Sequence, residues 1–141
     1  MTKQLPFYFF TLFIAIAISS CDKSDSDDCD PDKVCYTQAP DSLYVKLELA
    51  PQNSDLPLEI NFYKGDIDDG DKIEYFETSN SEEYYLMPIK EDYSASARYV
   101  QGQDTIVVID GDKLKEDSYT NCDETCYNWD YELVLDLKLE E

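Results

Sequence analysis

The chain has 141 residues, with 11 Lys and Arg against 32 Asp and Glu, a formal net charge of −21, five cysteines and no histidine. The length suits one domain, and the acidic excess excludes nucleic acid and anionic lipid headgroups as direct partners, because both are repelled. Without histidine there is no Ser-His-Asp or Cys-His catalytic pair, no His-ligated zinc and no c-type haem attachment.

In chain order, residues 1–20 differ from the rest. Lys3 is their only charged side chain, and residues 5–18 are apolar apart from Thr11. A positive start, a short apolar run and small residues at its end predict a secretory signal peptide; the run is shorter than the ~20 residues of a spanning helix. It ends in Ile18-Ser19-Ser20-Cys21. This box resembles that of bacterial lipoproteins, an aliphatic residue and two small ones before a lipidated cysteine. The resemblance implies cleavage before Cys21 and acylation of its thiol. Two or three acyl chains then hold the domain on a bilayer, each buried CH₂ contributing about 0.8 kcal/mol. Residues 21–34 are expected to be an acidic tether, since Asp22-Lys23-Ser24-Asp25-Ser26-Asp27-Asp28 carries no hydrophobe. The tether is similar to the acidic export segment of Bacteroidota outer-membrane lipoproteins, which implies the cell surface. Asp22 resembles the inner-membrane retention signal of enterobacterial lipoproteins, so the periplasmic face stays open.

Residues 35–141 are expected to form one all-β domain. Leu43, Val45, Leu47 and Leu49 alternate with polar residues or Tyr44. Leu58, Ile60 and Phe62 do the same, with Tyr63 on the opposite face. Tyr93, Ala95, Ala97 and Tyr99 form a third such run. From Trp129 through Tyr131 and Leu133 to Leu139, every second residue is apolar. Period-two alternation is the mark of a half-buried strand, so Trp129 and Tyr131 are expected in the core. Apolar runs at 72–77, 84–89 and 105–109 complete about seven strands, separated by Gly-, Pro- and Asp-rich turns. An antiparallel β-sandwich of immunoglobulin-like or transthyretin-like type is predicted. The hairpin of residues 93–111 is similar in pattern to small Bacteroidota lipoproteins of no assigned activity.

Cys29, Cys35, Cys122 and Cys126 are an even set in an oxidising compartment, hence disulfides rather than a zinc site. Four cysteines allow three connectivities. In immunoglobulin-like sandwiches the first strand often runs parallel to the last, which implies bridges from the N-terminal to the C-terminal pair.

Candidate ligand chemistry is sparse. Asp66, Asp68, Asp69 and Asp71 lie in Gly65-Asp66-Ile67-Asp68-Asp69-Gly70-Asp71, where carboxylates cluster as hard cations require. An EF-hand alignment fails there, placing Gly65 and Ile67 where oxygen ligands belong, so the segment is read as a polar turn and no metal is expected. Tyr44 and Tyr63 point away from their aliphatic neighbours and are the candidate exposed aromatics. No phosphate loop or G-x-S-x-G elbow occurs, so neither an enzyme nor a cofactor is expected. The expected role is a non-catalytic envelope lipoprotein serving as a binding or accessory module. The alternatives are an acidic inhibitor that captures a basic protein and a carbohydrate-binding module.

Overall fold

The computed structural model describes residues 29–50 and 56–139. The apolar N-terminal run, Cys21 and residues 22–28 lie outside them. The described residues hold nine strands and no helix: β1 Ser42–Glu48, β2 Leu58–Lys64, β3 Asp71–Thr78, β4 Glu82–Pro88, β5 Asp92–Gln101, β6 Asp104–Lys113, β7 Ser118–Asn121, β8 Glu124–Tyr127 and β9 Glu132–Asp136. Seven of them make a β-sandwich, with one sheet in the order β4-β1-β9 and the other β3-β2-β5-β6; β7 and β8 form a separate hairpin. Strand pairings are antiparallel except that of β1 with β9, the first and last strands, which run parallel. In the constant-type immunoglobulin order the first strand joins the second. Here β1 sits between β4 and β9 and β2 is in the opposite sheet, so that order is not the one adopted.

The alternation decides which side chains meet between the layers. Leu43, Val45 and Leu47 of β1 and Leu133 and Leu135 of β9 face Leu58, Ile60 and Phe62 of β2 and Tyr93 to Tyr99 of β5. Ala95 and Ala97 keep β5 thin at its centre, and both are fully buried. The phenol oxygens of the two buried β5 tyrosines reach the sandwich rim. Tyr93 donates to the Pro88 carbonyl at 2.9 Å. Tyr99 donates to the Leu137 carbonyl at 2.7 Å and accepts from the Ala50 N–H at 3.2 Å. Burial raises the pKa of both phenols, which keeps them protonated as donors.

Turns fix the registers. β5 and β6 pair without a bulge over ten positions, closing on Gln101 and Asp104. Gly102, at φ +65°, supplies the left-handed residue that a two-residue hairpin turn needs. At the β2–β3 turn the Gly70 N–H donates to the Asp66 carbonyl at 2.7 Å. A Cβ on Gly70 would fall against the carbonyl oxygens of Asp66 and Lys64 and the carbonyl carbon of Gly65, all of them backbone. Gly70→Ala is therefore expected to destabilise the domain by about 1–3 kcal/mol, read from a lowered urea midpoint.

The last strand departs from expectation. The alternation continues to Trp129, but β9 begins only at Glu132. The Asn128 side chain accepts the Asp130 N–H at 3.1 Å and closes a turn there. Trp129 is thereby lifted out of the core to 50% exposure, and Tyr131 stays half-buried at its margin. A local Asx turn has overridden a periodicity that fits a strand equally well.

Candidate functional site

One end of the sandwich is built by cysteines. Cys29 is bridged to Cys122 and Cys35 to Cys126, so both N-terminal cysteines join the β7–β8 hairpin. Cys122 and Asp123 form the hairpin's two-residue turn, both with positive φ (49° and 65°). This is the turn type most compatible with strand twist. The Asn121 amide then clips the arriving chain, accepting from the Asp30 N–H and donating to the Asp30 carbonyl, each at 2.9 Å. Tyr36 forms a single antiparallel bridge with Tyr127, whose N–H donates to the Tyr36 carbonyl at 2.8 Å. The segment around residues 29–38 thus lies against the hairpin almost as a third strand.

This arrangement gathers aromatic side chains that are remote in sequence. Tyr36 and Trp129 have ring centroids 5.7 Å apart with planes inclined by 46°. Tyr119 donates its hydroxyl to the Val34 carbonyl at 2.9 Å, and the Lys33 ammonium lies 3.8 Å from its ring centroid. Together with Tyr127, Asn128 and Asp130 these residues line an open cleft of about 500 Å³. That is within the usual ~300–1,000 Å³ of small-ligand sites. Trp129 donates its indole N–H to the Gln38 carbonyl at 3.1 Å, which fixes the half-exposed ring in the cleft wall. Asn128 is held from beneath: its N–H and side-chain amide donate to the Asp117 carbonyl and carboxylate at 2.9 and 3.1 Å. Lys33 and Asp130 bring an ammonium and a carboxylate to the lining.

Such a cleft can hold a ligand with one apolar face and a polar edge. The ring faces cover the former; the charged groups serve the latter. It is also rigid, because two covalent bridges and the Asn121 clip hold its walls, so little ordering cost attends binding.

The residues singled out from sequence lie elsewhere. Tyr44 is half exposed on the outer face of β4-β1-β9, edge-on to Tyr84 at 6.4 Å. Beside them the Lys46 ammonium sits between Glu82 and Glu48 at 2.9 and 3.0 Å, and hydrogen bonds to Glu82 and then Glu48 hold its pKa above the ordinary lysine value. Tyr63 belongs to the other sheet, with Lys72 5.6 Å from its ring centroid. The two predicted aromatics are therefore not brought together. Asp66 and Asp69 line one small cleft and Asp69 and Asp71 a neighbouring one. Among the described residues, no three carboxylates or thiols converge as metal ligands do.

The sequence hides the cleft, because Trp129 reads as a core residue by its spacing. Its immediate neighbours, Asn128 and Asp130, are the signal that points to a turn instead. Tyr36 and Tyr119 become relevant only through the cysteine pairing, which sequence leaves open. No family model, curated protein or solved structure matches this chain.

Proposed function

We propose that the protein is a non-catalytic, lipid-anchored envelope module that binds carbohydrate in the cleft around Trp129. The observation that carries this reading is a half-exposed tryptophan whose N–H is already bonded, set beside Tyr36 in a disulfide-held cleft. A pyranose ring has an apolar C–H face that an aromatic ring covers, and a rim of hydroxyls that a carboxylate, an ammonium and an amide can bind. Asp130, Lys33 and Asn128 supply those groups.

The lipobox at Ile18-Ser19-Ser20-Cys21 supports an acyl anchor on Cys21, and the acidic stretch after it supports display on the outer membrane, at the cell surface. The strand order β4-β1-β9 over β3-β2-β5-β6 supports the transthyretin-like member of the two expected sandwich types.

A glycan array probed with the mature domain tests the reading. Neutral pyranose oligosaccharides are expected to bind. Trp129→Ala is expected to weaken that binding by about 2 kcal/mol, roughly 30-fold, as loss of a central aromatic contact does. Tyr36→Ala should act in the same direction, and Tyr44→Ala, on β1 outside the cleft lining, should not. Glycan binding indifferent to Trp129 and Tyr36, or an array without a hit, would contradict it.

A further inference from the structure

The sandwich has four sheet edges, and three of them are protected against further strand pairing. β3 has a register shift opposite Phe62/Tyr63 and carries Asp71, Lys72, Glu74 and Glu77. β4 carries Glu82 and Glu83 and ends at Pro88. On β9 the Asp136 N–H donates to the Asp110 carboxylate at 2.7 Å, and the following Lys138 N–H to Asp136 at 3.1 Å. Charges, bulges, proline and capped amides are the usual protections of sheet edges.

β6 has none of these along its middle. Its ten residues pair with β5 without a bulge and contain no proline, and Thr105-Ile106-Val107-Val108-Ile109 carries no charge in a chain of net charge −21. The two-residue turn makes Gln101 and Asp104 a hydrogen-bonded pair, and bonded and non-bonded pairs then alternate. Thr105, Val107, Ile109 and Gly111 therefore turn their N–H and C=O groups away from β5. The caps on this edge agree: the Gly111 N–H donates to the Asp110 carboxylate at 2.8 Å and the Lys113 N–H to Asp112 at 2.7 Å. Val107 and Ile109 are uncapped among the described residues, and each is 53% exposed. Both line a cleft of about 560 Å³ between this edge and the segment Asp136–Leu139.

We propose that the free edge of β6 is a strand-addition site for an extended segment of a basic partner protein, with alternating apolar residues between flanking Lys or Arg. Main-chain hydrogen bonds to Val107 and Ile109 provide the pairing, as in other strand-addition complexes. Charge chooses the partner. The neutral stretch is bounded by Asp104 on one side and Asp110 and Asp112 on the other, with Asp136 and Lys138 across the cleft, where the Lys138 ammonium is already paired with Glu48 and Asp136. A second copy of this chain, paired two-fold about Val107, would set Asp104 opposite Asp110 at both ends, and like charges directly opposite are destabilising. This site lies on another part of the fold from the Trp129 cleft and does not depend on the carbohydrate reading.

The probe is the synthetic peptide acetyl-Lys-Thr-Val-Thr-Val-Thr-Lys-amide, added to the ¹⁵N-labelled domain. The expected result is exchange protection and shifts at the Thr105, Val107 and Ile109 amides, with affinity falling as salt rises and at least tenfold weaker for a Glu-flanked peptide. Val107→Pro removes only an outward-facing donor, so the β5–β6 ladder keeps its hydrogen bonds while peptide affinity falls by about tenfold or more. If that variant unfolds, Ile109→Lys serves instead, placing a like charge beside the peptide's lysines with the same expected loss. No binding up to millimolar peptide, equal binding of the Glu-flanked peptide, or protection confined to other strands overturns the proposal. So does a free chain that dimerises through these amides, because the edge would then belong to a second copy.

Discussion

Replacing Cys29, Cys35, Cys122 and Cys126 together with alanine is expected to lower the unfolding free energy by about 7 kcal/mol, in the chain-entropy account of disulfide stabilisation. The partners of the two bridges are 91 and 93 positions apart in sequence. Closing one loop of that length contributes about 4–5 kcal/mol. The second bridge then closes a much smaller ring, made of the short segments between the two pairs, and adds only about 3 kcal/mol. Removing either bridge alone should therefore cost about 3 kcal/mol, because the other still restrains the long loop. The single losses sum to less than the double loss. Equilibrium urea unfolding of the two double-alanine variants and the quadruple one measures all three values. Additive single losses of 4–5 kcal/mol would show that the bridges restrain the unfolded chain independently. A quadruple loss under about 2 kcal/mol would show that loop closure contributes little here. With domain stabilities typically about 5–15 kcal/mol, the quadruple variant should be marginal at best.

The second large effect lies in the core. Phe62 is fully buried on β2, its ring centroid 4.8 Å from that of Tyr85 on β4 and 5.9 Å from that of Tyr93 on β5. With Phe76 of β3, whose ring centroid lies 5.8 Å from that of Tyr85, it makes the aromatic contact between the two sheets. Tyr85 has its phenol pKa raised chiefly by burial, so it remains neutral beside Phe62. Phe62→Ala removes a ring from a site walled by stiff aromatics and is expected to cost about 3–5 kcal/mol. The comparison is Tyr84→Ala, one position along β4 on the opposite face and half exposed, expected within about 0.5 kcal/mol of wild type. Similar losses for the two would contradict the assignment of faces to β4.

Much of the sandwich can be read from alternation. Where one face is buried, a one-residue slip exchanges core and solvent faces, so Leu43-Val45-Leu47 and Leu58-Ile60-Phe62 leave only one choice. The strand order cannot be read in that way, because every layer of the core is aliphatic or aromatic and no residue names its neighbour. The β7–β8 hairpin is short, and its turn uses Cys122 and Asp123 at positive φ where Asn-Gly would have been the recognisable signal. Trp129 shows the limit most clearly. Its spacing agrees with the core, and only the Asn128–Asp130 turn removes it. The aromatic cleft is a product of tertiary pairing between residues 33–36 and 119–130, which no local pattern encodes.

Trp129 is the chain's only tryptophan and stands in the proposed site, half exposed. Its fluorescence therefore reports on that cleft alone. The decisive measurement is a titration of the mature domain with cellohexaose, xylohexaose, mannohexaose and chitohexaose, following emission wavelength and acrylamide quenching. A carbohydrate seated on the indole face should give a saturable blue shift and reduced quenching with at least one of them, and Tyr36→Ala should abolish both. Emission and quenching unchanged by every oligosaccharide up to about 10 mM, far weaker than the ~1 mM at which binding contributes about 4 kcal/mol, would contradict a carbohydrate site at Trp129.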